Sequence, residues 1–363
     1  MSTWGKRDDM VVHQREPSNA EPPRPALAGR RTTPLDAFYG RNHGPVPGVD
    51  PGAWRLTVDG LVRNPLELSL AQLRDRFEEV EVTATLQCAG NRRAELIALR
   101  DIPDEAPWGS GAVGTARWSG VRLADVLAHA GLRPGAAHIA FAAPDVSQDA
   151  DPPQPFGGSI PTEKALRPEV LLAWAMDGRP LPRIHGAPLR VVVPGWIGAR
   201  SVKWLTRITA RAEPSGNYFQ ATAYRLLPAD ADPDRAGPGA GVSLGPPALN
   251  CDILSPHDGA HLPPGPILVT GYALAGDDQT VSRVEVSADG GASWTEADLD
   301  PGDGPWTWRH WHTTVDLPQG EVEVTARAWD ATGAGQPESP ATLWNPKGYA
   351  NNSQPRIRLN PRS

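Results

Sequence analysis

A cysteine followed closely by two arginines is the first feature of this sequence that could carry chemistry. Cys88 lies in the run Leu86-Gln87-Cys88-Ala89-Gly90-Asn91-Arg92-Arg93. Nearby guanidinium groups favour the thiolate over the thiol, and the thiolate is the form that binds a soft metal or attacks an electrophile. The run therefore indicates a reactive cysteine, with an inert buried cysteine as the alternative. The other cysteine, Cys251, stands among apolar residues and is predicted to lie in a core.

Other segments place cations and hydrogen-bond donors beside glycines. The turn Arg41-Asn42-His43-Gly44-Pro45 offers a guanidinium, an amide and an imidazole that could hold an oxyanion or a phosphate. The segments 185–190 and 198–204 suit a ligand with a phosphate and a polar ring system. Taken singly, each segment is as compatible with charged residues that are merely solvated at strand ends.

Histidines provide two competing interpretations. His310 and His312 share one face of a predicted strand and could ligate a metal, but Trp308 and Trp311 beside them favour a structural role. A Cys-His nucleophile is also possible, because the chain has nine histidines, although nothing in the sequence selects one of them.

Composition excludes several classes of protein. The chain has 363 residues, more than one hydrophobic core usually serves, so two domains are expected. No apolar run approaches the ~20 residues of a membrane helix, and no membrane partner is expected. A net charge of −7 argues against nucleic acid as a partner. Two cysteines cannot build a disulfide framework or a four-thiolate zinc site.

The elements that must position these groups are short. The 37 glycines and 40 prolines favour turns and short strands over long helices. Residues 1–32 are polar and predicted to form a tail, and 33–246 form a mixed domain of strands and brief helices. One helix start is indicated by Ser69 and Gln72, which have capping-box spacing.

After a Pro- and Gly-rich linker at 229–247, strands repeat at short intervals, which predicts an immunoglobulin-like β-sandwich over 247–363. The fold class is therefore α+β. The first 30 residues show no apolar signal segment, so a cytoplasmic location is expected, or a periplasmic one if a signal has been removed.

Considered together, the motifs resemble those of the sulfite oxidase family of molybdopterin-dependent oxidoreductases, in the bacterial or plant-type form that lacks a haem domain. The resemblance runs from about Thr33 to the end of the chain. Its markers are 38–43, 86–93, 185–190, 193–195, 198–204 and 344–348, and they match in order and spacing.

The resemblance implies a catalytic domain that binds one molybdopterin, followed by an immunoglobulin-like domain that dimerises. It implies that Cys88 is the protein ligand of molybdenum. The cofactor-binding positions it implies are Tyr39, Gly40, Arg41, Asn42, His43, Cys88, Asp149, His185, Arg190, Ser201, Val202 and Lys203. For the substrate anion it implies a pocket made by Arg41, Arg93 and Arg356 with Trp108 and Tyr224.

The sequence departs from the family pattern at two places near this pocket. Asp104 stands where a lysine is common, which predicts a negative charge near the anion entrance. Gln354-Pro355 stands where Trp-His usually precedes the C-terminal arginine, which bears on the placement of Arg356.

The implied function is molybdenum-dependent oxidation of sulfite to sulfate by oxo transfer, in a homodimer formed through the C-terminal domain. No haem- or flavin-binding segment is visible, so electrons are expected to pass to oxygen or to a separate carrier such as a cytochrome. Two alternatives stay open. The same kind of molybdenum enzyme could act on nitrate, another oxyanion or a sulfoxide, or the chain could be a binding protein without a cofactor.

Overall fold

The computed structural model describes residues 3–361, and they form a strand-rich molecule in two parts. Strands of the first part are β1 (Val11–Gln14), β2 (Asn19–Glu21), β3 (Leu56–Gly60), β4 (Leu66–Leu68), β5 (Val80–Gln87), β6 (Val113–Arg122), β7 (His138–Ser147), β8 (Gln154–Pro161), β9 (Leu171–Met176), β10 (Arg179–Pro180), β11 (Arg190–Val192), β12 (Arg207–Arg211), β13 (Arg225–Leu226) and β14 (Val242–Ser243).

Helices are short throughout. They are α1 (Leu70–Arg76), α2 (Arg93–Ile97), α3 (Leu123–Ala130) and α4 (Thr162–Ala165), with 3-10 turns at Thr3–Gly5, Arg24–Leu27, Arg183–His185, Gly198–Arg200 and Pro340–Leu343 and a π turn at Phe219–Ala223. The predicted capping box at the start of α1 is confirmed, because Ser69 Oγ accepts from Gln72 N–H while Gln72 Oε1 accepts from Ser69 N–H. Within 3–361, no helix has the length and apolar content needed to cross a membrane.

Two five-stranded sheets build the first part. One has the order β10-β9-β6-β5 with β11 also paired to β9, and the other has the order β4-β3-β12-β7-β8. Buried side chains of both sheets and of α3, such as Val121, Leu172, Val58, Ile208 and Leu127, share one apolar core. The edge strand β5 ends at Gln87, so Cys88 lies directly after this strand.

The second part is a β-sandwich of β15 (Asn250–Ser255), β16 (His261–Leu262), β17 (Gly265–Leu274), β18 (Val281–Ser287), β19 (Thr295–Glu296), β20 (Asp298–Leu299), β21 (Arg309–Leu317), β22 (Val322–Asp330) and β23 (Arg356–Pro361). Its sheets have the orders β15-β17-β21-β20 and β16-β23-β22-β18-β19. The α+β class with a C-terminal immunoglobulin-like sandwich is confirmed. Cys251 lies in the sandwich core, fully buried with Trp311 and Val324.

The N-terminal segment is a correction to the sequence prediction. Residues predicted as a tail form the β1–β2 hairpin, and Ala20 pairs with Gly40 of the catalytic domain. Glu21 is buried, and its carboxylate accepts hydrogen bonds from Gly109 N–H at 2.6 Å and Gly111 N–H at 2.8 Å. The segment docks through such hydrogen bonds, which its low apolar content does not reveal.

Histidines of the sandwich do not form a metal site. His310 Nε2 lies 2.8 Å from the Arg30 carbonyl oxygen, and His312 is half exposed with Asp298 and Asp300 each 3.8 Å away. No group of three or more His, Cys, Asp or Glu side chains able to hold a metal occurs within residues 3–361. The structural role favoured by the neighbouring tryptophans agrees with this arrangement.

Candidate active site

The loop that carries Cys88 is folded tightly against the segment leading into β6. Cys88 N–H donates to the Ala112 carbonyl oxygen at 2.9 Å, and Ala112 N–H donates to Asn91 Oδ1 at 3.1 Å. Asn91 N–H closes a turn on the Cys88 carbonyl oxygen at 3.0 Å. Arg92 then takes a left-handed conformation with φ 63° before α2 begins. These contacts fix the backbone on both sides of the thiol.

The C-terminal domain also holds this loop. Arg92 is buried, donates to the Ser353 carbonyl oxygen at 2.6 Å and pairs with Glu95 at 2.8 Å. Ala350 N–H donates to the Ala89 carbonyl oxygen at 2.9 Å. The position of the Cys88 loop therefore depends on the β-sandwich as well as on the sheet that carries it.

Cys88 is buried against a cavity, and its surroundings act on the thiol in opposite directions. Burial raises its pKa, whereas the charges of Arg93 and Arg41 and the N–H of Gly90 favour the thiolate. No group of three or more metal-ligating side chains is found among the described residues, so a metal bound to Cys88 would receive a single thiolate from the chain. A metal at this position needs most of its ligands from a cofactor.

A group of buried cations lies along the same cavity. Lys203 Nζ donates to the Arg41 carbonyl oxygen at 2.9 Å, and Arg190 donates to the carbonyl oxygens of His185 and Ser201. Burial lowers the pKa of Lys203, and burial lowers that of Arg190 to about 10. Neither cation forms an ion pair with a carboxylate of the described chain. Uncompensated buried positive charge of this kind calls for an anionic ligand.

Lys6 adds a further cation from the N-terminal segment. Its Nζ donates to the carbonyl oxygens of Leu35 and Phe38, each at 2.7 Å, and lies 2.8 Å from His185 Nε2. Burial lowers the pKa of Lys6 to about 7, while the charge of Asp36 opposes this. Burial and then Lys6 lower the pKa of His185, so the imidazole is neutral.

Asp145 supplies an acceptor on the wall of this cavity. Its Oδ1 is buried and has no hydrogen-bond partner among residues 3–361, and burial raises the pKa of the carboxyl to about 7 against the charge of Lys203. An unpartnered buried acceptor beside unpaired cations suits a ligand that has both a phosphate and ring N–H groups. The residues present therefore fit molybdopterin.

Most of the predicted cofactor-binding residues are brought together here. Those that line the cavity are Tyr39, Arg41, Asn42, His43, Cys88, His185, Arg190, Ser201 and Lys203. Gly40 instead pairs with Ala20, and Val202 is buried with its carbonyl oxygen accepting from Val191 N–H. These two residues support the cavity wall without lining the cavity.

Asp149 is a correction to the predicted set. It is exposed, and its N–H donates to Ser147 Oγ at 3.2 Å. Asp145, four residues earlier, lines the cavity instead. Residues alternate between the two faces of β7, so the strand turns Asp145 inward, whereas Asp149 lies beyond the strand on the surface.

Tyr224 and His43 meet at the end of the cavity nearest the arginines. Their hydroxyl oxygen and Nε2 are 2.6 Å apart, and His43 is also stacked on Phe156. Burial raises the pKa of Tyr224, whereas burial and the charges of Arg41 and Lys203 lower the pKa of His43. Both groups are therefore neutral, and the tyrosine keeps its proton.

Two other predicted substrate-pocket residues lie close to Cys88. Trp108 is fully buried in the apolar cluster that includes Cys88, and its ring packs on His13 at 4.6 Å. Arg93 is buried, pairs with Glu105 at 2.9 Å and packs on the ring of Tyr349 at 5.1 Å. Tyr349 in turn stacks on Tyr224 at 5.6 Å.

Arg356 is not brought to this site, which corrects its predicted place in the anion pocket. Its side chain is 40% exposed and pairs with Glu323 at 2.8 Å on the sandwich. In β23 the core face is taken by Ile357 and Leu359. Because side chains alternate along a strand, Arg356 must point to solvent.

Several residues of the site have no local sequence signal. Lys6 lies in the predicted tail, and Tyr349 follows a motif without belonging to it. Glu105 carries the negative charge next to Arg93, whereas Asp104, which the sequence singles out, is exposed. Lys6, Tyr349 and Glu105 reach the site only because separate segments pack together in the fold.

Comparisons with known proteins agree with this geometry. Residues 43–219 match the oxidoreductase molybdopterin binding domain, and residues 248–362 match the Mo-co oxidoreductase dimerisation domain. The chain is 44% identical over 348 residues to sulfite oxidase of Gallus gallus, which covers 93% of this chain and 75% of that protein. It is 38% identical over 375 residues to sulfite oxidase of Arabidopsis thaliana, covering 98% and 94%.

A solved structure shows the same fold. The crystal structure of the sulfane dehydrogenase SoxCD from Paracoccus pantotrophus matches with a TM-score of 0.82 and 27% identity, covering 96% of this chain and 85% of that chain. The chain spans 65% of the length of the mitochondrial sulfite oxidases of mammals that it matches.

Proposed function

The chain belongs to the sulfite oxidase family of molybdopterin-dependent oxidoreductases, and from this membership we propose that it oxidises sulfite to sulfate. The overall reaction is sulfite plus water to sulfate, two protons and two electrons. The observation that carries the proposal is that Arg41 lines the cavity beside Cys88, and that the charges of Arg93 and Arg41 both favour the Cys88 thiolate. This supports an anion site next to the proposed metal ligand.

Different residues of the chain would bind the metal, the pterin and the substrate. Cys88 would hold molybdenum, and the molybdopterin would lie along Arg190, Lys203 and His185, with Asp145 accepting from its ring. When bound, the cofactor supplies the oxygen-atom transfer and takes up the two electrons. The protein must bind the anion, orient it and keep water away.

Arg41 and Arg93 would replace the hydration of the substrate anion with fixed positive charge. The Tyr224 hydroxyl, held by His43, would donate a hydrogen bond to an oxygen of the anion. Because the pKa of Tyr224 is raised by burial, this hydroxyl stays protonated and can serve as a donor throughout turnover.

The electrons would pass to oxygen or to a separate carrier such as a cytochrome. The match of the C-terminal part to a dimerisation domain supports a homodimer formed through the sandwich.

The test is sulfite-dependent reduction of ferricyanide by protein expressed in a host that makes molybdopterin. We expect stoichiometric molybdenum and saturable activity with sulfite. In Arg41→Gln, kcat/KM for sulfite should fall by about 10², whereas Arg235→Gln, at an arginine 89% exposed, should leave it unchanged. Protein that contains molybdenum but shows no sulfite-dependent reduction would mean another substrate, and protein without metal or pterin would favour a binding protein.

A further inference from the structure

The anion pocket contains a carboxylate of its own. Glu105 Oε2 lies 2.9 Å from Arg93 Nη1, and the two side chains are only 22% and 4% exposed. Glu105 is adjacent to the exposed Asp104 but, unlike it, has turned inward. One of the two arginines of the pocket is therefore already paired before any substrate binds.

Backbone oxygens also hold Arg93, through two of its three guanidinium nitrogens. Its Nε donates to the carbonyl oxygens of Lys347 at 3.0 Å and Gly348 at 3.3 Å, and Nη1 donates to that of Ala106 at 3.1 Å. These contacts fix the guanidinium in place independently of Glu105. Glu105 therefore neutralises the charge of Arg93 more than it positions the group.

The charge of Glu105 reaches the whole substrate end of the cavity. Burial raises the pKa of Cys88, Tyr224 and Tyr349, and the charge of Glu105 adds to each of these shifts, while it also favours the charged form of Arg41. In a buried site, a charge at this range is poorly screened. An entering dianion must meet this repulsion.

We propose that Glu105 is a specificity-determining residue, an internal counter-ion of Arg93 that weakens the binding of doubly charged anions. The inference rests on the proposed function, since it concerns the same pocket. Sulfite and sulfate must each share the charge of Arg93 with this carboxylate, so the pocket holds both loosely. Anions with a single charge suffer less from the repulsion.

The experiment compares Glu105→Gln with wild type as holoenzyme. Glutamine keeps an oxygen that can accept from Arg93 but removes the charge. We expect about a tenfold lower KM for sulfite and about a tenfold lower inhibition constant for sulfate, with kcat within about twofold. Asp104→Asn is the matched control, because it removes an equal charge from the exposed neighbour, and it should change neither constant.

Calorimetric binding of sodium sulfate provides a reading that does not depend on turnover. Sulfate should bind Glu105→Gln about tenfold more tightly than wild type, even if sulfite proves not to be the substrate. Equal or weaker sulfate binding in Glu105→Gln overturns the counter-ion role, and so does absence of sulfate binding in both proteins. Loss of sulfite turnover in wild type with tighter sulfate binding in the variant would instead reject the proposed function alone.

A second variant separates charge from positioning. Glu105→Ala removes both the charge and the acceptor, and it should also bind sulfate more tightly. If alanine weakens sulfate binding while glutamine restores wild-type affinity, Glu105 only positions Arg93 and the proposal is wrong. Molybdenum content, measured for each variant, shows that the Cys88 loop is intact.

Discussion

The hydroxyl oxygen of Tyr224 lies 2.6 Å from Nε2 of His43, and their rings meet at 81°. Tyr224 follows the π turn Phe219–Ala223, whereas His43 comes from the turn after the N-terminal strands. The contact thus joins segments 181 residues apart. Burial keeps both groups neutral, so the pair can present one O–H or N–H donor to the anion pocket.

Tyr224→Phe should lower activity without disturbing the cofactor. The ring, its stacking on Tyr349 and the fold are retained, and only the hydroxyl is lost. We expect kcat for sulfite to fall by about 10², because a positioned hydrogen-bond donor is removed, with molybdenum content unchanged. Steady-state kinetics and metal analysis measure the two effects. Wild-type kcat in this variant would show that the hydroxyl takes no part.

Arg356→Gln should leave the substrate pocket unaffected. Its pairs with Glu323 and Glu338 lie on the surface of the sandwich, where ion pairs contribute about 0–1 kcal/mol. We expect KM for sulfite to stay within about twofold of wild type, in contrast to Arg41→Gln. A rise in KM comparable to that of Arg41→Gln would restore Arg356 to the anion pocket and contradict the exposed position.

The orientation of Arg356 is a feature that the sequence alone could not predict. The capping box at Ser69 and the strands of the sandwich were predictable because each depends on neighbours in the chain. The face of β23 on which Arg356 lies depends on which residues fill the sandwich core. Motif spacing alone could not determine that face.

Long-range contacts explain why some residues of the site were not predicted from the sequence. Lys6 meets His185 across 179 residues, and Arg93 meets the Lys347 carbonyl oxygen across 254. No periodicity or motif encodes such pairs, because they form only when separate elements pack. Most residues of the cavity wall were nevertheless expected together, because they occur within the motifs that carry the resemblance to the sulfite oxidase family.

Arg92→Met should destabilise the protein and weaken its hold on the cofactor. Arg92 is buried, and its replacement removes the guanidinium from Glu95 and from the Ser353 carbonyl oxygen, which keep only Asn351 and Gln336 as donors. Loss of hydrogen bonds of this kind costs about 1–3 kcal/mol. We expect a lower Tm and a lower molybdenum content, since the Cys88 loop is attached to the sandwich through this residue.

The control for this prediction is Arg167→Met, at an arginine that is 51% exposed and 3.4 Å from Asp278. It should leave Tm and molybdenum content near those of wild type. If Arg92→Met behaves like this control, the contact between the loop and the sandwich does not support the site.

Lys6 predicts how the stability of the apoprotein changes with pH. Burial lowers its pKa to about 7, so the folded protein releases this proton above about pH 7, whereas the unfolded chain keeps it up to the ordinary lysine pKa of 10.5. Between these values the unfolded state binds more protons, and Lys6 therefore adds stability as pH rises. Tm of apoprotein from a host without molybdopterin synthesis should rise with pH relative to Lys6→Met between pH 7 and 10.

An anion bound beside Lys6 should reverse this dependence of stability on pH, because the anion favours the charged amine. Inorganic phosphate should therefore raise the Tm of wild-type apoprotein more at pH 7 than at pH 9.5, and it should do so less in Lys6→Met. Thermal denaturation at several phosphate concentrations measures both effects. Parallel Tm curves for wild type and Lys6→Met over this pH range would mean that Lys6 is not buried in the apoprotein.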